Sequence, residues 1–98
     1  MSMPVVYLPE ALDDVDAAYA AYEQQQVGLG DRFLAALQDR IDQVALNPAL
    51  YGVFYQDVRA APVKRFPYVV YYRAESGRVL VVAVQHGGRA ASAWQGRI

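Results

Sequence analysis

The 98-residue chain has no cysteine and only one histidine. The missing cysteine excludes disulfides and thiolate metal sites and is compatible with a reducing compartment, so a cytoplasmic location is expected. With His86 as the only imidazole, a metal site would need to be built almost wholly from carboxylates. Those acids lie on predicted helix faces, so neither a metal nor a cofactor is expected. No stretch approaches the ~18–20 apolar residues that a membrane-spanning helix needs, so no membrane association is expected. The opening "MSMPVVYLPE" has no basic segment and no long apolar run, and it does not read as a signal peptide. An excess of positive charge is also lacking: nine Lys and Arg face ten Asp and Glu, a net charge of −1. Proteins that grip phosphate backbones are usually basic, so direct binding of RNA or DNA is disfavoured. "VGLGD" precedes a predicted helix but lacks the lysine and spacing of a phosphate-binding loop. No serine sits in a recognisable nucleophile elbow.

What is present is globular. The hydrophobic share is 55% and the charged share 19%, and residues 1–98 are expected to form one domain. Charge is unevenly spread. Residues 1–57 hold nine of the ten acids, whereas seven of the nine cations follow Val58. The back half therefore offers a local positive face to a negative partner.

Val5–Leu8 is a short apolar run that reads as a strand. Pro9 suits the first turn of a helix, and Glu10, Asp13 and Asp14 follow where a helix start favours negative charge. Leu12, Val15, Tyr19 and Tyr22 recur at helical spacing, and the helix ends near "VGLG". Asp31 is the expected N-cap of a second helix with the stripe Phe33, Leu34, Leu37, Ile41, Val44 and Ala45. Asn47-Pro48 ends it, because proline pushes the preceding residue out of helical geometry. A loop and a strand near Val58–Val63 follow. "PYVVYYR" (67–73) and "RVLVVAVQH" (78–86) read as strands joined by Ala74-Glu75-Ser76-Gly77. The order is β-α-α-β-β-β. The expected fold class is α+β: a small antiparallel or mixed sheet with a helical hairpin on one face. The other face is left for a partner.

"VRAAPVKRFPYVVYYR" followed by "RVLVVAVQHGGR" resembles the ParE branch of the RelE/ParE toxin superfamily of bacterial type II toxin–antitoxin systems. The shared elements are Lys64-Arg65, Phe66-Pro67-Tyr68, Tyr71-Tyr72-Arg73, the valine-rich 79–84 and His86-Gly87-Gly88-Arg89. "LPEALDDVDAAYAAY" is similar to the family's first helix and "NPALYG" to its post-helical loop. The resemblance implies a RelE/ParE-like fold and a toxin neutralised by a cognate antitoxin as a hetero-oligomer. ParE-type members are associated with inhibition of DNA gyrase, and RelE-type members with cutting mRNA on the ribosome. By resemblance, the nucleases carry an arginine just before the apolar part of the third strand. Here Pro67-Tyr68 stands there, which disfavours RNA cleavage.

No catalytic residue is therefore expected, and the chain reads as a binding-type inhibitor. In the alternative nuclease reading, His86 and Arg89 act with Lys64 or Arg65, since the reaction needs a base, an acid and positive charge on the phosphate. A third alternative is an inactive member that only binds its antitoxin. Arg73, His86, Arg89 and Trp94 are the target-contact candidates, and Lys64, Arg65 and Tyr68 the antitoxin-binding ones. Each has a plainer reading. His86 can be a strand-end histidine bonded to backbone, and Gly87-Gly88 a simple exit from the strand. Arg89 is either a contact on an exposed loop or a solvated cation. Trp94 either anchors a partner or docks on the chain's own core.

Overall fold

The computed structural model describes residues 2–90 and 92–98. Strand β1 is Val5–Tyr7. Pro9 opens α1 (Pro9–Gln25), where its missing N–H costs no bond. The helix buries the small residues Ala11 and Ala18, so it lies close to the sheet. Helix α2 spans Leu29–Leu46 and buries Gly30, Phe33, Leu37, Ile41, Val44 and Ala45 at three- and four-residue spacing, which gives it one apolar face. It ends as expected, with Asn47 at its C-cap before Pro48.

The start of α2 differs from expectation. Asp31 is not its N-cap. Gly28 holds that place in left-handed geometry (φ 90°), a conformation that glycine adopts without strain. The orphan amides are met by Glu23 of α1, whose carboxylate accepts from Gly28 N at 3.0 Å and Gly30 N at 2.8 Å. Asp31 instead lies in the first turn and accepts the Tyr19 hydroxyl at 3.2 Å.

The sheet has strands β2 (Val53–Tyr55), β3 (Val58–Pro62), β4 (Tyr68–Glu75) and β5 (Arg78–His86) beside β1. The order is β1-β5-β4-β3-β2. β1 runs parallel to β5 and the other pairs are antiparallel, so the sheet is mixed. β2 lies within the expected loop. β4 extends through Glu75, so the β4–β5 hairpin turns at Ser76-Gly77, with Gly77 at φ 78°.

The helical hairpin covers one sheet face. Phe33, Leu37, Ile41 and Val44 pack there with Val70, Tyr72, Val79, Val81 and Val84. Tyr71 pairs with Ala83 and Tyr72 with Val81, which leaves Val82 as the extra residue of a bulge. The bulge turns both Val82 and Ala83 to the second face, with Val58 and Tyr71. That face is not left for a partner alone. The short helix α3 (Ser92–Gln95) puts Trp94 onto it.

Candidate functional site

β5 carries the site to its place. β1 pairs with β5 only from Val79 to Val81, and Leu8 N adds a bond to Val81 O at 2.9 Å. Beyond Val81 the outer edge of β5 has no strand beside it among the described residues. Side chains take over: Asp14 Oδ2 accepts Val84 N at 3.0 Å, and Arg97 Nη1 donates to Val82 O at 3.1 Å. Asp14 and Arg97 also bind each other through two parallel bonds of 2.7 and 3.0 Å. Their side chains are only 12% and 17% exposed. Hydrogen bonding to Asp14 holds the Arg97 guanidinium above its ordinary pKa against the opposing effect of burial. Gln85 Nε2 donates to Asp14 Oδ1 at 3.0 Å, while the buried Gln85 Oε1 has no partner among the described residues.

The chain leaves β5 through an exposed turn, His86 to Ala90. Gly87 N is bonded to Pro67 O at 2.8 Å and Arg89 N to His86 O at 3.0 Å. His86 Nδ1 accepts Gly88 N at 3.0 Å, and its ring meets the edge of Tyr68 at 5.7 Å. His86 and Arg89 line a small hollow of about 130 Å³ with Asp14, Ala18, Tyr68 and Gln85. Among the described residues, no carboxylate forms an ion pair with Arg89.

Lys64 and Arg65 line a different hollow. They sit in the turn between β3 and β4, where Arg65 takes the left-handed conformation (φ 71°), unusual for a side chain of its size. Arg40 of α2 fixes the turn by donating to Pro62 O. The turn forms the lip of a groove of about 800 Å³ along α2. Leu29, Ala35, Ala36 and Phe66 give the groove apolar surface, and Arg32, Lys64 and Arg65 give it cations that form no ion pair among the described residues. Asp39 and Asp42 also line it.

The four residues of the nuclease alternative therefore line two different hollows, Lys64 and Arg65 in one and His86 and Arg89 in the other. Tyr68 closes the turn that carries Lys64 and Arg65 through a bond from Val63 N to its carbonyl at 2.8 Å but lines the hollow beside β5. It is half-buried and packs edge-on against Phe33 at 5.1 Å and Tyr22 at 5.9 Å. Arg73 is paired with Asp57 at 3.0 Å. Trp94 is 1% exposed, stacked on Tyr71 with ring centroids 4.6 Å apart, so the exposed target-contact candidates are His86 and Arg89, with Arg73 half-covered. Asp14, Gln85 and Arg97 were not among the expected site residues. Asp14 and Arg97 lie 83 positions apart, and no local pattern links them. No three His, Asp or Glu residues among those described come close enough together to hold a metal ion. No helix of the described residues is long and apolar enough to cross a membrane.

Residues 5–91 match the family model described as the ParE toxin of the type II toxin–antitoxin system, parDE. The chain belongs to the ParE toxin family. Its fold is similar to that of a solved chain described as the chromosomal ParDE TA system from P. aeruginosa, with a TM-score of 0.65 at 20% identity. That likeness covers 87% of this ParE chain and 96% of the other. Among curated protein sequences, none matches this ParE chain.

Proposed function

We propose that this ParE family member acts in the cytoplasm by binding, that its target is DNA gyrase, and that a cognate antitoxin neutralises it in a hetero-oligomeric complex. The observation that carries the binding reading is that the candidate catalytic groups line two different hollows rather than one. RNA cleavage needs a base, an acid and a phosphate-binding cation around one phosphate. Here Lys64 and Arg65 line the α2 groove, His86 and Arg89 line the hollow beside β5, and one nitrogen of His86 is already bonded to Gly88 N. The net charge of −1 supports the same reading, since it gives little general attraction to RNA.

The exposed turn with His86 and Arg89 is the surface we assign to the target. Lys64, Arg65 and the groove behind them are the surface we assign to the antitoxin. Arg32, Lys64 and Arg65, which form no ion pair among the described residues, line the groove together with Leu29, Ala35, Ala36 and Phe66, a combination that suits a segment presenting acids beside apolar side chains.

A supercoiling assay with purified protein tests the target. Inhibition that titrates with the protein is expected, and gyrase unimpaired at a large excess overturns the gyrase assignment. Primer extension on mRNA after induction is expected to show no new ends inside codons; such ends would establish the nuclease alternative instead. Induction without the antitoxin is expected to arrest growth, and unaffected growth would leave only antitoxin binding.

A further inference from the structure

We propose that Asp14 is a positioning residue. Its carboxylate staples Gln85 to Arg97 and so holds the intervening segment, with His86, Arg89 and Trp94, in the shape that meets the target. The inference rests on the reading that this segment is the target surface.

The geometry carries it. A carboxylate has about four lone-pair directions, and Asp14 fills them with four bonds: Val84 N, Gln85 Nε2 and two from Arg97. Two of these reach β5 where the exposed turn begins, and two reach the tail where the segment returns. Arg97 adds a bond of its own to Val82 O. Both ends of the segment are thereby fixed to one point on α1.

Between those ends the ties are few. Gly87 N reaches Pro67 O, and Trp94 seats in the sheet face against Tyr71. Among the described residues, the other backbone bonds outside the β4–β5 ladder are local turns, Arg89 N to His86 O, Ala93 N to Ala90 O and Arg97 N to Trp94 O. A four-residue helix such as α3 does not hold itself together in water. Closing a chain segment costs entropy, so a firm tie at its base decides whether the segment has one shape. A buried ion pair adds little net stability over a well-packed apolar replacement, but it demands one geometry, which suits a positioning role.

The test is Asp14→Asn, which keeps the size and removes the charge. Trp94 is the only tryptophan, so its emission reports this segment alone. Expected results are an unchanged far-UV spectrum, a red-shifted Trp94 emission and tryptic cleavage after Arg89 about tenfold faster, the effect of losing a charged hydrogen-bond network. Gyrase inhibition is expected to weaken by a similar factor, and Asp14→Glu, which keeps the carboxylate, to recover part of it. Ala11→Gly is the control for general weakening of the same helix: it lowers Tm without selectively speeding that cleavage. Asp14→Asn with emission unshifted and cleavage within twofold of wild type overturns the staple. If Asp14→Asn does not fold, hydrogen exchange on the wild-type chain decides. Residues 86–90 and 93–97 exchanging as one unit support the staple, and independent exchange overturns it. If the wild-type chain leaves gyrase untouched, the target assignment fails, while emission and cleavage still report on the staple.

Discussion

Trp94 lies flat on Tyr71, with ring centroids 4.6 Å apart and planes 29° from parallel, on the sheet face opposite the helical hairpin. Tyr55 meets the same indole edge-on at 5.9 Å. The tail is therefore part of the folded core. Replacing Trp94 by Ala is expected to cost about 3 kcal/mol or more, as large-to-small changes at buried aromatics do. Urea unfolding followed by far-UV circular dichroism measures it. A loss under 1 kcal/mol would place the tail outside the cooperative unit.

Gly30 marks a close approach between α1 and α2. A Cβ there would stand 2.7 Å from Glu23 Cγ and 2.8 Å from the Tyr19 ring. Glu23 cannot swing aside freely, because its carboxylate holds the Gly28 and Gly30 amides. Gly30→Ala is therefore expected to destabilise by about 1–3 kcal/mol, although alanine is the better helix former. Glu23→Gln retains an acceptor and is expected to cost less. Thermal unfolding of both variants checks the order, and a stabilised Gly30→Ala would contradict the packing.

How much of this was legible in the sequence follows from range. β4 and β5 show in the chain because their residues are β-branched or aromatic at successive positions, as strands covered on both faces require. The stripe of α2 shows for the same kind of reason. β2 does not, because it has three residues, lies at the sheet edge and follows a run of turn formers. α3 does not, because four residues have no periodicity; Trp94 finding Tyr71 creates it. Asp31 was the obvious cap by residue type, yet Glu23 fills that role from the preceding helix. Asp14 reads as an ordinary acid near a helix start. Its bonds to Val84, Gln85 and Arg97 depend on the bulge at Val82 and on the path of the tail, and neither has a local signature.

Alkaline pH is expected to destabilise the chain. Burial raises the pKa of Tyr71 and Tyr72 above the ordinary 10.0, and Tyr7 is raised by burial and by Asp42. The Tyr72 hydroxyl also donates to Pro48 O at 2.6 Å, a bond that an ionised ring cannot make. A raised pKa in the folded state means that the folded chain holds its protons more tightly. The stabilisation is complete below the unfolded value near 10 and is lost as pH rises through the folded values. Tm measured from pH 8 to 11 is expected to stay level and then fall above pH 10. The part of the 295 nm tyrosinate absorbance that comes from Tyr7, Tyr71 and Tyr72 is expected to rise together with unfolding rather than before it. Early ionisation of Tyr7, Tyr71 and Tyr72 with Tm unchanged would contradict the burial.

Arg89 and Arg73 separate binding from folding. Arg73 is tied to Asp57 at 3.0 Å across the β3–β4 edge, whereas Arg89 stands on the exposed turn without an ion pair among the described residues. An exposed pair contributes about 0–1 kcal/mol, so neither Arg73→Ala nor Arg89→Ala is expected to move Tm by more than a few degrees. Their effects on the target are expected to differ. A desolvated arginine at the centre of an interface carries about 2 kcal/mol or more, which corresponds to at least tenfold in affinity. Arg89→Ala is thus expected to raise the concentration needed to inhibit supercoiling about tenfold or more. Arg73→Ala removes a cation already neutralised by Asp57 and is expected to change it by less. Titration of gyrase with the two variants at matched folded concentration makes the comparison. Equal potency of Arg89→Ala and wild type would remove Arg89 from the target surface and move the assignment to the Arg73 side of the sheet.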